Sequence, residues 1–197
     1  MYSDKKTTIM NNKKVFILSG PAGVGKNTLW SLVQPLCNSY IEESISTTSR
    51  SPRAWETNSI EYYFVSREEF EQKIHNHEFL EYAVVHTNYY GSPKSELERI
   101  TNLGKTPIYI IEPQGMTHLK PLLEEEGYLV VTIFLLPPSL DELKKRLHNR
   151  GTETEEQFQI RLATAMTEFE QQEFYDIRLV NDDLEKTKDE LLAILHM

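Results

Sequence analysis

The densest chemistry in the chain lies in one consecutive run, Gly20-Pro21-Ala22-Gly23-Val24-Gly25-Lys26-Asn27-Thr28. Glycines let successive backbone N–H groups turn inward around an anion, and a lysine after the last of them reaches the β- and γ-phosphates of a nucleotide. The apolar residues 15–19 lead into this run and a helix-compatible stretch leaves it, which is the setting a phosphate cradle requires. A glycine-rich turn without a ligand is the bland alternative, and a lysine directly after the last glycine argues against it. One position departs from the pattern. Where Ser or Thr would offer a hydroxyl to Mg²⁺, this chain has Asn27, whose amide oxygen can reach a metal directly or through water. Thr28 points about 100° away around a helix and does not replace it.

A second cluster follows in Ser44-Ile45-Ser46-Thr47-Thr48-Ser49-Arg50-Ser51-Pro52-Arg53. Two arginines three apart, among hydroxyls and held by a proline, suit a phosphate monoester of charge about −2. Alone, the segment reads equally well as a basic surface turn. Tyr62, Glu81, Tyr90 and Ser92 in the same stretch favour a site.

Composition narrows the possible partners. The formal net charge is −9 over 197 residues, so nucleic acid and anionic membrane are excluded as main partners, and any phosphate site must gather its cations locally. The single cysteine, Cys37, rules out an intrachain disulfide and suits a reducing compartment. No apolar run approaches the roughly 20 residues that span a bilayer, and the N-terminus lacks the apolar core of a signal peptide, so a cytoplasmic protein is expected. Residues 1–12 read as a flexible tail.

The elements that must position these residues follow from periodicity. β-favouring runs at 15–19, 107–111, 130–135 and 177–180, with a shorter one near 40–45, alternate with helical segments at 26–36, 92–103, 139–150, 157–174 and 184–195. This alternation predicts an α/β domain, a parallel sheet wrapped by helices. Ser139 with Glu142 forms a capping box for one helix, and Pro137-Pro138 ends the strand before it. Residues 46–91 break the rhythm, with alternating runs at 61–65 and 80–85 and a helix at 67–76, and read as an inserted antiparallel lobe. The polar, acidic start of 151–171 reads as a lid.

The arginine cluster, the run 62–70, Glu78-Phe79-Leu80-Glu81, Asn88-Tyr89-Tyr90-Gly91-Ser92, Gln114-Gly115, Leu136-Pro137-Pro138-Ser139, Arg150-Gly151-Thr152-Glu153-Thr154-Glu155-Glu156 and Val180-Asn181-Asp182-Asp183-Leu184 together resemble the guanylate kinase family, in order and at family spacing from Val15 to the C-terminus. The resemblance implies a P-loop nucleoside monophosphate kinase. Its core would be 13–45, 92–150 and 172–197, its GMP-binding lobe 46–91 and its lid 151–171. It implies ATP on Gly20, Pro21, Ala22, Gly23, Val24, Gly25, Lys26, Asn27 and Thr28, with Asn181 and Asp182 near the adenine. The last two could equally cap the helix that begins near Leu184. Arg50, Arg53, Tyr62 and Tyr90 would hold the GMP phosphate, with Gly91 beside them. Glu81 would accept from guanine N1–H and the exocyclic amine, while Ser46 and Ser92 face O6. Lys26, Arg53, Arg150 and Arg161 would align and neutralise the phosphates in catalysis, with Mg²⁺ near Asn27 and Glu112. The implied reaction phosphorylates GMP, and dGMP with it, at the expense of ATP.

The chain departs from the family pattern at three places besides Asn27. Ile110 stands where the first of two nearby acids is usual, leaving Glu112 on the same strand face. Trp55 takes a glycine's place in the arginine loop, and Ala22 replaces a residue usual in the glycine loop. Two other functions compete. A non-catalytic scaffold of this fold would bind phosphopeptides through Arg50, Arg53, Tyr62 and Tyr90, but it would not need Lys26 or the lid arginines. A kinase for another phosphorylated acceptor would not need Glu81, Ser46 and Ser92 together. Monomer and homo-oligomer are equally compatible with the sequence.

Overall fold

The structure, a computed structural model, describes residues 13–85, 87–148 and 155–197. The expected tail 1–12, Arg150 and the first residues of the expected lid lie outside the described residues. In chain order, β1 (Lys14–Ser19) leads through the glycine loop into α1 (Lys26–Cys37) and β2 (Ile41–Glu43). A second group follows: β3 (Thr47–Thr48), β4 (Tyr63–Phe64), α2 (Arg67–His75), β5 (Phe79–Val85) and β6 (Asn88–Pro93). The chain continues through α3 (Lys94–Asn102), β7 (Thr106–Ile110), α4 (Pro113–Glu125), β8 (Leu129–Leu136), α5 (Leu140–His148) and α6 (Glu155–Glu170). A 3₁₀ turn at Gln171–Phe174, β9 (Ile177–Val180) and α7 (Leu184–Leu195) complete it. Among the described residues, no helix is long and apolar enough to cross a membrane.

β1 is apolar at nearly every position because both of its faces are covered. Phe16 and Leu18 pack with Leu29 and Val33 of α1 and Leu191 and Leu195 of α7, while Val15 and Ile17 pack with Met116, Leu119 and Leu123 of α4. Strands buried on both faces belong to parallel sheets sandwiched by helices. The sheet runs β2-β7-β1-β8-β9, with every pair parallel. The chain fills the side of β1 that holds β2 and β7 first, then crosses to β8, so strand order reverses beside β1. The carboxyl end of such a strand opens on a crevice, and the glycine loop sits there.

The lobe is a separate sheet, β4-β3-β6-β5. It is antiparallel along β3·β6 and β5·β6, with a two-residue parallel pair β3·β4. Phe70 of α2 stacks between Phe79 (4.5 Å) and Tyr89 (5.0 Å), giving the lobe an aromatic core of its own. Ser66 and Glu69 form a full capping box at the start of α2, whereas at α5 only the Ser139 half is made, through Glu142 N–H at 3.1 Å.

Two features differ from the sequence expectation. The helix α4 went unread because Pro113, Gly115 and Pro121 resemble breakers. Pro113 sits in the first turn, where its missing N–H is harmless, and Met116, Leu119 and Leu123 supply the buried stripe. The expected helix from residue 92 begins instead at Lys94, because Ser92 and Pro93 complete β6.

The junction of β1 and the glycine loop is tight. Gly20 has φ +146°, and a Cβ there would lie 2.4 Å from the Leu135 carbonyl oxygen on β8. Backbone cannot yield as a flexible side chain would. Gly20→Ala is therefore expected to lower stability by about 1–3 kcal/mol, read as a reduced urea midpoint with unchanged slope. An unchanged midpoint would show that β1 and β8 separate freely there.

Candidate active site

Gly25, in the left-handed conformation, is the N-cap of α1 and makes no side-chain cap. The first N–H groups of the helix therefore face the loop, at the positive end of its dipole. Lys26 is buried beneath the loop. Its Nζ donates to the Gly20 carbonyl at 2.7 Å and to Glu112 Oε2 at 2.9 Å. From the opposite side, the Ala22 N–H donates to Glu168 Oε2 on α6 at 3.0 Å. A carboxylate thus occupies a donor of the kind that cradles a phosphate oxygen. Burial first, and then the charge of Glu112, push the Glu168 pKa up to about 7, against the pull of Ala22 N–H and Lys26.

The rest of the loop is braced from below and behind. Ala22 packs on Leu143, Leu147 and Ala165 of α5 and α6. Buried Asn181 donates through Nδ2 to the Val24 carbonyl at 2.9 Å, and Arg146 donates to the Val24 and Asn181 carbonyls, each at 3.3 Å. Helix α7 is capped by neither Asn181 nor Asp182 but by Asp183, whose Oδ1 accepts from Lys186 N–H at 2.9 Å. Asn27 and Thr28 are exposed at the start of α1. Ile110 packs against the apolar cluster around α1 and α7.

Across from the loop, the lobe gathers the second cluster. Arg50 forms a two-pronged pair with Glu56, both contacts 2.9 Å, and lies 5.6 Å from the centroids of the Tyr62 and Phe64 rings. Arg53 approaches Glu56 at 3.6 Å and lies over the Trp55 ring at 5.6 Å. Burial alone would raise the Glu56 pKa, but the two arginines outweigh it and the net shift is downward. Tyr62 and Tyr90 meet edge to face at 5.9 Å. Burial, then Tyr90 and Glu112, push the Tyr62 hydroxyl up to about 12.

Glu81 and Ser92 face each other across β5·β6, and the Ser92 hydroxyl donates to Glu81 Oε1 at 2.6 Å. Burial pushes the Glu81 pKa up to about 7, with Ser92 pulling the other way. Ser46 stands immediately before β3, its carbonyl accepting from Tyr63 N–H at 2.9 Å. Gly91 lies within the lobe sheet, where a Cβ would come within 3.0 Å of both Phe70 and Phe79. Arg161 lies half-buried on α6.

Sequence reasoning missed three residues of this site: Glu56, Glu168 and Arg146. Glu56 was signalled by its spacing, an acid three residues after Arg53. Glu168 lies two turns on from Arg161, on the same helical face. Among the described residues, no group of three or more His, Cys, Asp or Glu side chains is placed to hold a metal ion. Asn27 and Glu112 offer one amide and one carboxylate. Such a sparse set fits a Mg²⁺ ion that keeps several waters and leans on substrate phosphates.

A glycine loop at the carboxyl end of a central parallel strand, a buried lysine beneath it and an arginine–tyrosine pocket on an inserted lobe define a P-loop kinase of the α/β class. Comparison with known proteins agrees and is more specific. The family model "Guanylate kinase" matches residues 12–197. Guanylate kinase from Mycoplasmoides gallisepticum is 41% identical over 189 residues, covering 95% of each chain. The enzyme of that name from Malacoplasma penetrans is 42% identical over 183 residues, covering 93% of this chain and 92% of its own. The crystal structure of guanylate kinase from Anaplasma phagocytophilum superposes with a TM-score of 0.72 at 35% identity, covering 93% of this chain and 84% of that one. The chain belongs to the guanylate kinase family, and it is an enzyme.

Glu81 offers a test of this geometry without any substrate. Its folded pKa, about 7, exceeds its ordinary value of 4.5. The folded state therefore holds the extra proton between those values, and the stability tied to Glu81 is present below 4.5 and lost as pH rises through 7. Glu81→Gln is expected to gain stability relative to the parent chain between pH 5 and pH 8, measured by urea unfolding at both. A stability difference that stays flat with pH would refute the buried-carboxylate geometry.

Proposed function

We propose that the chain transfers the γ-phosphoryl group of ATP to GMP. The glycine loop binds the ATP phosphates, and the lobe binds the acceptor. On this reading Lys26 exchanges Glu112 for phosphate oxygens, and the loop N–H groups exchange Glu168 for the same. Arg50 and Arg53, with Tyr62 and Tyr90, hold the phosphate of GMP, while Arg53, Arg150 and Arg161 neutralise the group in flight. Asn181 and Asp182 border the adenine. No covalent protein intermediate is required, since positioning and electrostatic stabilisation carry phosphoryl transfer. Mg²⁺, held by Glu112 and Asn27 together with waters, would neutralise charge on the β- and γ-oxygens.

The observation that carries the acceptor assignment is the Glu81–Ser92 pair. Among the described residues Glu81 makes no ion pair, and burial leaves its charge expensive. Guanine presents two adjacent donors, N1–H and the C2 amine, that satisfy such a carboxylate. Adenine presents a lone pair at N1 and nothing at C2. As Glu81 takes up the base, Ser92 turns toward O6 from one side and Ser46 from the other. None of these contacts uses the ribose 2′-hydroxyl, so dGMP is a substrate on the same terms. The single buried Cys37 suits a cytoplasmic enzyme.

A coupled assay of GDP formation from ATP, Mg²⁺ and GMP tests the reaction. Lys26→Ala and Arg53→Ala should each lose on the order of 10³-fold or more in kcat/KM. Retention of activity within tenfold in either variant would remove that residue from the phosphate path. Base recognition is tested separately. Glu81→Gln turns an amide N–H₂ toward a guanine donor and should raise KM for GMP at least tenfold, with KM for ATP within twofold. Equal effects on both substrates would overturn the assignment of Glu81 to the base.

A further inference from the structure

The lobe is joined to the core by two covalent crossings, the inbound residues 44–46 after β2 and the outbound β6–α3 junction at Pro93-Lys94. Glu96, in the first turn of α3, is 2% exposed although it is a carboxylate. Its Oε2 accepts from the Ile45 N–H at 2.9 Å and from Arg99 Nη2 at 2.9 Å. Its Oε1 accepts from the Tyr63 hydroxyl at 3.0 Å and from Arg99 Nε at 2.8 Å. One buried side chain on the outbound helix therefore holds the inbound crossing and strand β4 together. Arg99 extends the clasp to the Glu43 carbonyl at 3.3 Å and to Glu42 Oε1 at 3.5 Å. Burial opposes the charge on Glu96, but Arg99, Ile45 N–H and Tyr63 outweigh it and its pKa is lowered.

Both of its partners outside α3 are chain neighbours of proposed acceptor-site residues. Ile45 precedes Ser46, and Tyr63 follows Tyr62. Successive residues of an extended strand point to opposite faces. Tyr63 accordingly reaches Glu96 while the Tyr62 ring meets Arg50 and Tyr90 on the other side. We propose that Glu96 is a positioning residue for the acceptor: through Ile45 and Tyr63 it fixes where Ser46 and Tyr62 stand relative to the rest of the lobe. This rests on the reading of the lobe pocket as the GMP site. It assigns Glu96 no contact with substrate.

Tyr63→Phe removes one bond from the clasp and keeps the ring, so it is the informative variant. Glu96→Ala strands Arg99 as well and is examined beside it for folding. Steady-state kinetics with each substrate varied, together with thermal unfolding, form the test. Tyr63→Phe should raise KM for GMP about threefold to tenfold, with KM for ATP within twofold, and Glu96→Ala, where folded, should raise KM for GMP further. A fall in thermal stability with KM for GMP unchanged in Tyr63→Phe would overturn the inference and leave the GMP site intact, as would an equal rise in both KM values. A parent chain that makes no GDP from GMP would overturn the reading of the pocket and this inference with it.

Discussion

Lys26, Arg50, Arg53 and the Ala22 N–H are each held by a carboxylate in the structure, and the arrangement of the proposed site follows from that constraint. Lys26 is paired with Glu112, Arg50 and Arg53 with Glu56, and the Ala22 N–H with Glu168. A chain of net charge −9 that binds polyphosphate must concentrate positive charge in a small volume and keep it ordered. Burying an unpaired lysine or arginine is strongly unfavourable, so each needs an anion in place. On the proposed function, phosphate binding is then an exchange of one anion for another. The affinity gained is the difference between a doubly charged, multidentate phosphate and a single carboxylate, not the full strength of either pair.

Glu81 is the complement of this scheme. It is an anion with a hydroxyl, not a cation, as its partner, and its pKa near 7 records the imbalance. On the proposed function the cations take an anion in place of their carboxylate, whereas this carboxylate takes donors. Because Glu81 pairs with Ser92 across β5 and β6, just after a register shift between Phe79 and Glu81, carboxylate and hydroxyl stand side by side. An acceptor base without two adjacent donors would leave the carboxylate buried and unpaired. Penalties of that kind separate substrates far better than the loss of apolar contact does.

Much of this was legible in the sequence because local rules and motif spacing agreed. The glycine loop between an apolar run and a helix, the strands at 15–19 and 177–180 and the helix at 184–195 are all decided by local patterns, and the structure follows them. Helix α4 was hidden because prolines and glycine read as breakers without knowledge of where in the helix they fall. Strand β4 falls inside the alternating run at 61–65, whereas the two-residue strand β3 carries no periodicity and exists only because the lobe folds back on itself. Glu56, Glu168 and Arg146 escaped for a related reason. Their roles are contacts, set by which segments tertiary structure brings together: Glu168 meets a backbone N–H 146 residues away. Residue type and spacing show which groups are able to hold an anion, and not which ones hold each other.

The two departures from the family pattern around the proposed metal position differ in their surroundings. Ile110 takes an acid's place and spends its side chain on the apolar cluster beside α1, while Asn27 lies exposed where a hydroxyl is usual. The one carboxylate left, Glu112, is held by the loop lysine. On the proposed function, phosphate at Lys26 would take the place of Glu112, and the freed carboxylate would be available to a divalent ion. Glu112, at the N-cap of α4, lies close enough to Glu168 to help burial raise that carboxyl to about 7. On the proposed function, an ion that keeps most of its waters would need no more from the protein than one carboxylate and one amide.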